Sequence, residues 1–402
     1  MIETPQITFL CLASEFKGKD LMREAHRQGC RVILIAKEKW VNEDWPRDSL
    51  DEVYFMPDLS NTQHVINAVS YLYRTRQIDQ IIPLDEYDVE MAAIVREHLR
   101  MPGMGHSAAR FFRDKLAMRT RAHEAGIAVP DFVGVLNHDR IRQFTERVPA
   151  PWMLKPRTWA GSVGMKKIQS ADELWSQLES MGDEQSAYLL ERFVPGDVFH
   201  VDSIINGGEV VFSIVHKYAK PPLNVSHDGG VFMTRTLERD SVDAVALRKL
   251  NVELVQALGM VRGITHAEFI KGEADGKHYF LEVAARVGGA NIADLIEAAT
   301  GLNPWVEWVR MEIAHLQGVP YQLPMTREDY AGIVISLARQ EYPDTSAYND
   351  PEVVWRLNKK FHVGMIVASP SADRVMELLN SYAQRISQDF SAVADYWQRP
   401  PA

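Results

Sequence analysis

Glu268 and Glu282 lie in GITHAEFIKGEADGKHYFLEVAARVGGANIADLIEAATG, the part of this 402-residue chain richest in groups that could do chemistry. Gly272, Asp275 and Gly276 mark a turn between ITHAEFI and HYFLEV, which predicts two antiparallel strands. With the turn centred near Asp275, Glu268 falls opposite Glu282, and a two-residue period puts both side chains on one face. Cβ atoms so placed stand about 4.5–5.5 Å apart, and like charges there repel. A divalent cation held by both carboxylates would offset that repulsion. Hard oxygen donors with no cysteine nearby favour Mg²⁺ or Mn²⁺ over zinc. A shifted register, or acids paired with bases such as Arg286, would remove the need for a cation. Arg286 follows Glu282 by four residues on the same face, and Gly288, Gly289 and then Asn291 come next, Asn291 being placed to cap a helix over 292–299. Free N–H groups at that helix start, with a guanidinium beside them, would suit a carboxylate or phosphoryl oxygen. A plain tight turn is the competing reading of the two glycines.

A second candidate is the loop RTWAGSVG at 157–164, between strands predicted in PWMLKP and MKKI. It does not satisfy GxxxxGK[ST], which excludes a Walker A loop. A Gly/Ser loop between strands can still close over phosphates with its backbone amides. Lys155 at the end of the preceding strand and Lys115 upstream are two point charges able to neutralise a polyphosphate; ordinary surface lysines are the alternative. Asp85 and Glu86 follow the apolar run IIPL at the carboxyl end of a predicted parallel strand, where α/β sheets present ligands. They read either as substrate contacts or as acids at a helix start.

These residues must be held by several domains, since the length predicts two to four. In the first hundred residues short apolar runs, ITFLCL (7–12), RVILIA (31–36) and IIPL (81–84), alternate with amphipathic stretches at 18–28, 61–76 and 88–99. That pattern predicts a doubly wound parallel sheet. The turn ASEFKGKD lacks the GxGxxG of a dinucleotide site. Beyond MPGMGHS the pattern becomes α+β: a helix at 113–125, a helix at 171–180 opened by a capping box of Ser170 and Glu173, and a hairpin through Asn206-Gly207-Gly208. A helix at 242–258 precedes the acidic strands, and strands AGIVISLA and HVGMIVAS with a helix at 371–388 close the chain. Trp305 and Trp308 read as core. Tyr342, Pro343, Asp344 and Tyr348 read as a surface loop, with a substrate-facing role as the alternative.

A composition of 46% hydrophobic and 24% charged residues excludes disorder and coiled coil. Forty-four Lys+Arg against 54 Asp+Glu give −10, which argues against nucleic acid or an anionic membrane as partner. Cys11 and Cys30, each in or beside an apolar run, make neither a disulfide framework nor a zinc spacing. With no run of some 18 apolar residues, a cytoplasmic protein is expected.

In order and spacing, RDKLAMRTRAHEAGIAVP (113–130), WMLKPRTWAGSVGMKKI (152–168), YLLERFVPGDVFHVDSII (188–205), THAEFI and FLEVAARVGGANI resemble the ATP-grasp superfamily, and within it carboxylate–amine ligases of the L-amino acid ligase type. The resemblance spans nearly the whole chain. It implies an N-terminal pre-ATP-grasp α/β domain (1–112), a small lobe with a Gly-rich flap (113–190), a large lobe with the metal site (191–320) and a C-terminal lobe (321–402). Lys115 and Lys155 look like the lysines on the nucleotide phosphates, and Gly161, Ser162 and Gly164 like the flap. Glu191, Arg192, Phe193 and Val194 look like the linker that recognises adenine, with Glu191 or Asp197 near the base or ribose. Glu268 and Glu282 look like the ligands of Mg²⁺ or Mn²⁺, and Arg286 like the arginine that steadies an acyl phosphate. His216 and Lys217 are expected to reach phosphate or substrate, and Asp85, Glu86, Gly288, Gly289 and Asn291 to face substrate. One departure is Ala284, where many relatives have Asn, so one amide ligand to a second Mg²⁺ is missing.

The activity implied is an ATP-dependent ligase forming an amide bond through an acyl phosphate, with a small-molecule carboxylate and amine as partners. A homodimer is among the assemblies expected. A biotin-carboxylase-like or purine-pathway carboxylating enzyme, and a nucleotide-binding protein that has lost catalysis, are the alternatives.

Overall fold

A computed structural model describes residues 6–161, 163–222 and 230–391. β1 (Thr8–Ala13), β2 (Arg31–Lys37), β3 (Glu52–Met56) and β4 (Gln80–Pro83) form a parallel sheet in the order β3-β2-β1-β4. β3 is the strand that the apolar runs did not reveal: EVYFM is only half-buried at a sheet edge, so it lacks the continuous apolar signature of the inner strands. The inner strands alternate between two cores. Phe9, Cys11, Val32 and Leu34 face one side, where Trp305 and Trp308 of the helix Pro304–Gln317 pack. Leu10, Leu12, Ile33 and Ile35 face the other, against Val65 and Val69 of the helix Thr62–Tyr73 and Val95 of the helix Asp88–His98. Both cysteines are buried and free.

The helix Lys115–Glu124 starts where Asp114 accepts the N–H groups of Leu116 and Ala117, the N-cap bonding expected of an Asp. β5 (Phe132–Gly134), β6 (Trp152–Pro156), β7 (Lys166–Ile168) and β8 (Tyr188–Arg192) make an antiparallel sheet in the order β5-β8-β6-β7. The helices His138–Arg147 and Ala171–Met181 pack on it through Ile141, Phe144, Leu174 and Leu178. At the second of these Ser170 accepts from the Glu173 N–H, while the Glu173 carboxylate accepts from the N–H of Gln169, one residue before the cap.

The third sheet has eight strands in the order β13-β12-β9-β10-β11-β14-β16-β15, all antiparallel. They are β9 (Gly196–Asn206), β10 (Glu209–Tyr218), β11 (Phe232–Thr236), β12 (Gly263–Gly272), β13 (His278–Ala284), β14 (Tyr330–Leu337), β15 (Val353–Arg356) and β16 (His362–Ser369). Asn206 pairs with Glu209, and Gly207 and Gly208 both take positive φ, so the β9–β10 hairpin is the two-residue glycine turn foreseen. The sheet continues without a break from β11 into β14, across position 320. The helix Ala372–Asp389 covers β14 and β16, and its Tyr382 is buried against Tyr348, while Tyr342 is exposed and lines none of the cavities described below. No helix among the described residues is long and apolar enough to cross a membrane.

Candidate active site

Glu268 and Glu282 are direct cross-strand partners on β12 and β13. Two cavities meet at this pair. One, of about 200 Å³, is lined by Glu86, Gly161, His266, Arg286, Gly289 and Ala290 together with both glutamates. The other, of about 370 Å³, is lined by Lys115, Met153, Lys155, Met165 and Leu281, by the 191–198 segment and again by both glutamates. Two carboxylates held face to face, with space on either side, match the donor chemistry of a hard divalent cation.

The pair is not left bare. Tyr218 donates to Glu268 Oε1 at 2.8 Å, and His266 Nε2 stands 3.6 Å from the same oxygen. Lys115 Nζ is 2.7 Å from Glu282 Oε2 and donates to the Trp159 carbonyl at 2.7 Å, so this lysine ties the 157–164 loop to β13. Burial works against the Glu268 charge, but His266 and Tyr218 outweigh it and hold its carboxyl below the ordinary range. Burial likewise opposes charge on His266, and the Asp202 carboxylate overrides it, holding His266 up at about 9.

The remaining expected residues separate into those brought to the cavities and those held elsewhere. Gly161 and Gly164 sit in the loop between β6 and β7 with φ of 67° and 70°; Ser162 lies outside the described residues. Arg286 donates to Glu86 at 2.7 Å and to the Val287 carbonyl at 2.8 Å. Glu86 also takes Arg113 at 2.7 Å, so it bridges the N-terminal domain to the glutamate face; burial raises its carboxyl, and Arg286, Arg113 and Lys115 together bring it down to about 2. Asp85, one residue earlier, pairs with Lys17 and is buried away from the cavities. Gly289 lines the smaller cavity, whereas Gly288 is packed so closely that a Cβ would stand 3.0 Å from Ile292 and 3.1 Å from Asp202 Oδ1.

Besides Asp85 and Gly288, which do not face the cavities, three further expectations need correction. Glu191 does not present its carboxylate to a base or ribose: it is 1% exposed, ion-paired with Lys155 and with the fully buried Arg119 at 3.0 Å, because Lys155 and Arg119 are buried cations that need a counter-charge. Asp197, its alternate, stays at the cavity rim, paired with Lys217 at 2.6 Å. His216 does not reach phosphate or substrate, since its ring is wholly buried and stacked on His200 at 4.6 Å. Asn291 occupies the N-cap position of the helix Ile292–Thr300 but makes no capping bond; with φ of 60° its amide turns to Asp294 instead.

Arg192, Phe193 and Val194 line the larger cavity as a strand end and linker. Lys167 Nζ lies 3.9 Å from the Phe193 ring centroid, and Arg192 pairs with Asp131 at 3.3 Å. Arg113, Arg119, Tyr218, Asp202 and His266 join the site without a motif of their own in the sequence. His266 had a visible signal, since it lies two residues before Glu268 and therefore on its face.

Residues 148–294 match the family model described as an ATP-grasp domain. The chain is 26% identical over 262 residues to the L-arginine-specific L-amino acid ligase of Bacillus subtilis, covering 63% of this chain and 62% of that one. It is 25% identical over 224 residues to a D-alanine–D-alanine ligase of Chlorobaculum tepidum, covering 50% of this chain and 58% of that one. The chain thus spans less than two thirds of the length of these curated relatives. Among solved structures, an L-amino acid ligase from Bacillus licheniformis superposes with a TM-score of 0.74 at 17% identity, over 97% of this chain and 99% of that one, a likeness of fold. Residues 148–294 thus carry an ATP-grasp domain, in a chain whose three sheets share the fold of these ligases and whose paired glutamates stand at the meeting of two cavities.

Proposed function

We propose that the chain is an ATP-dependent carboxylate–amine ligase that activates a carboxylate, an amino acid by preference, as an acyl phosphate and passes the acyl group to an amine, releasing ADP and phosphate. The observation that carries this reading is the opposed Glu268–Glu282 pair at the junction of two cavities, one edged by two lysines and the other by an arginine. The likeness to proteins named as ligases supports it.

In this reading the larger cavity takes the nucleotide. Met153, Met165, Val198, Ile270 and Leu281 give it apolar walls suited to a flat heterocycle, beside the 191–194 linker. Lys155 and Lys115 lie where phosphates would end, each already neutralised by a carboxylate, Glu191 and Glu282 respectively. A phosphate arriving at Lys115 would share that lysine with Glu282 and draw the Trp159 carbonyl, and the loop with it, over the nucleotide. Mg²⁺ or Mn²⁺ held by Glu268 and Glu282 would neutralise charge on the transferring oxygens.

The smaller cavity takes the acid and the amine. A carboxylate oxygen attacks the terminal phosphorus, the bond to the bridging oxygen breaks and ADP leaves. The amine then attacks the acyl carbon, phosphate leaves with the C–O electron pair, and the nitrogen loses a proton. Arg286 is placed to meet the negative charge that builds on oxygen in both steps. Glu86 holds its guanidinium in position. The Gly161–Gly164 loop keeps water from an acyl phosphate. Ala284 lines this cavity in place of an amide, which supports one cation held by two carboxylates.

The test is ADP release with Mg-ATP against a matrix of amino acids and amines, then bicarbonate, then neither. Stimulation by pairs of an acid and an amine supports the ligase; stimulation by bicarbonate supports a carboxylating enzyme; nucleotide binding with no turnover anywhere overturns both. Lys155→Ala should abolish turnover and also lower stability, because Glu191 would keep Arg119 alone as partner, which thermal melting would register.

A further inference from the structure

Beneath the two glutamates a polar row crosses four strands on one face of the eight-stranded sheet. Register sets Glu282, Glu268, His200 and His216 side by side, and two residues along β12 and β9 sets His266 beside Asp202. Asp202 is 2% exposed, and three imidazoles turn Nδ1 toward its carboxylate: His200 at 2.7 Å, His266 at 2.8 Å and His216 at 3.5 Å. The far nitrogens differ. That of His200 meets Thr234 Oγ1 at 2.9 Å, that of His216 has no hydrogen-bond partner among the described residues, and that of His266 faces Glu268 Oε1 at 3.6 Å. Polar groups buried to this degree are unfavourable unless they are hydrogen-bonded or paired. The donor atoms of His200, Asp202 and His266 lie within 4.8 Å of one another, but both nitrogens of His200 and Nδ1 of His266 are already engaged, so the group is built as a hydrogen-bonded relay.

We infer that Asp202 and His266 are positioning residues for Glu268: Asp202 fixes the His266 ring through Nδ1, and the ring's other nitrogen holds the Glu268 carboxylate turned toward Glu282. The inference rests on the proposed cation site. An imidazole locked by a carboxylate on one nitrogen orients whatever meets the other, and loss of such an outer partner typically lowers metal affinity by roughly 10–100-fold. In this role His266 is not a ligand of the cation; it acts through Glu268.

Amide variants separate the two ends of the ring. In His266→Asn the amide nitrogen falls near Nδ1, keeping the bond to Asp202 and losing the contact to Glu268; in His266→Gln it falls near Nε2 and keeps that contact. Mn²⁺ binding in the presence of ADP, read by the electron paramagnetic resonance of free Mn²⁺, needs no turnover. His266→Asn is expected to weaken Mn²⁺ by roughly 10–100-fold, with an unchanged circular dichroism spectrum, while His266→Gln retains most of the affinity. Asp202→Asn should weaken it as well; because it leaves one carbonyl acceptor and an amide donor where three imidazoles converge on a carboxylate and folding could suffer, the pair of variants at 266 decides the matter. Wild-type affinity in His266→Asn, or equal loss in Asn and Gln, would overturn the positioning role while leaving the ligase reading intact. A wild-type protein that binds no Mn²⁺ would overturn the cation site itself and the inference with it.

Discussion

Along β1 and β2 the buried side chains run Phe9, Leu10, Cys11, Leu12, Val32, Ile33, Leu34 and Ile35, apolar toward both faces. Along β9, β10 and β12 the buried set includes His200, Asp202, Ser203, His216, Thr265 and His266. All of these side chains are shielded from water, yet the first set is hydrocarbon while the second, beside apolar neighbours such as Phe199, Val201 and Ala267, is a chain of polar and ionisable groups. Hydrocarbon is what stability asks for, because each buried methylene contributes without needing a partner. A buried Asp among three imidazoles is favourable only as a complete set, and it lies under the glutamates that face the cavities. The difference teaches where this fold stores stability and where it stores orientation.

That contrast can be broken in stages. The largest effect should come from Glu282→Gln, which keeps shape and removes one charge of the opposed pair: turnover is expected to fall by about a thousandfold or more, with thermal stability changed little, since relief of the repulsion with Glu268 offsets the lost ion pair with Lys115, as steady-state ADP release and melting would show. Its counterpart is Leu34→Ala, fully buried in the N-terminal sheet; about 2–5 kcal/mol of stability should be lost, measured by urea unfolding, while turnover per folded molecule stays at the wild-type level. If Leu34→Ala instead abolished turnover, the division of labour between the sheets would fail.

A smaller effect tests the bridge between the two regions. Glu86 has its carboxyl held near 2, below the usual 4.5, because Arg286, Arg113 and Lys115 outweigh its burial. A depressed carboxyl contributes stability that is complete above about 4.5 and is lost as pH falls through that window toward about 2. Glu86→Gln should therefore be less stable than wild type at pH 7, by on the order of 2 kcal/mol, and the two should converge by pH 2 to 3 in urea titrations. Least of all should be Gly164→Ala. At φ of 70° a Cβ would stand 2.9 Å from Pro156 Cγ and 3.1 Å from the Trp159 ring, a left-handed strain of about 1–2 kcal/mol. If the loop closes over the nucleotide, this strain should weaken ATP binding by roughly fivefold to thirtyfold, measured by calorimetry, without moving Mn²⁺ affinity.

Much of this architecture was legible because its signals are local. The helix ends at Gly259 and Ser170, the glycine turn at 207–208 and the turn at Asp275 each depend on a few neighbouring residues, and a turn centred at Asp275 sets Glu268 against Glu282 by counting alone. β3 was not legible, since an edge strand half open to water carries little apolar pattern. Nor was the occupation of Glu191: its position near the end of a strand suits a ligand contact, and only the arrival of Arg119 and Lys155 from other elements shows that its charge is taken. His216 misled for a related reason, because a strand end in the sequence is a sheet centre once β11 and β14 are added beyond it.

By itself the sequence determined the alternation of strand and helix, the hairpin that opposes two carboxylates and the absence of a dinucleotide loop, because periodicity and turn chemistry act over a dozen residues or fewer. Which charges would be free to meet a ligand was decided only by the tertiary structure. Ion pairs such as Glu86 with Arg286, and the convergence of three imidazoles on Asp202, join residues up to 200 positions apart, and chain order carries no information about which partner a buried charge will find.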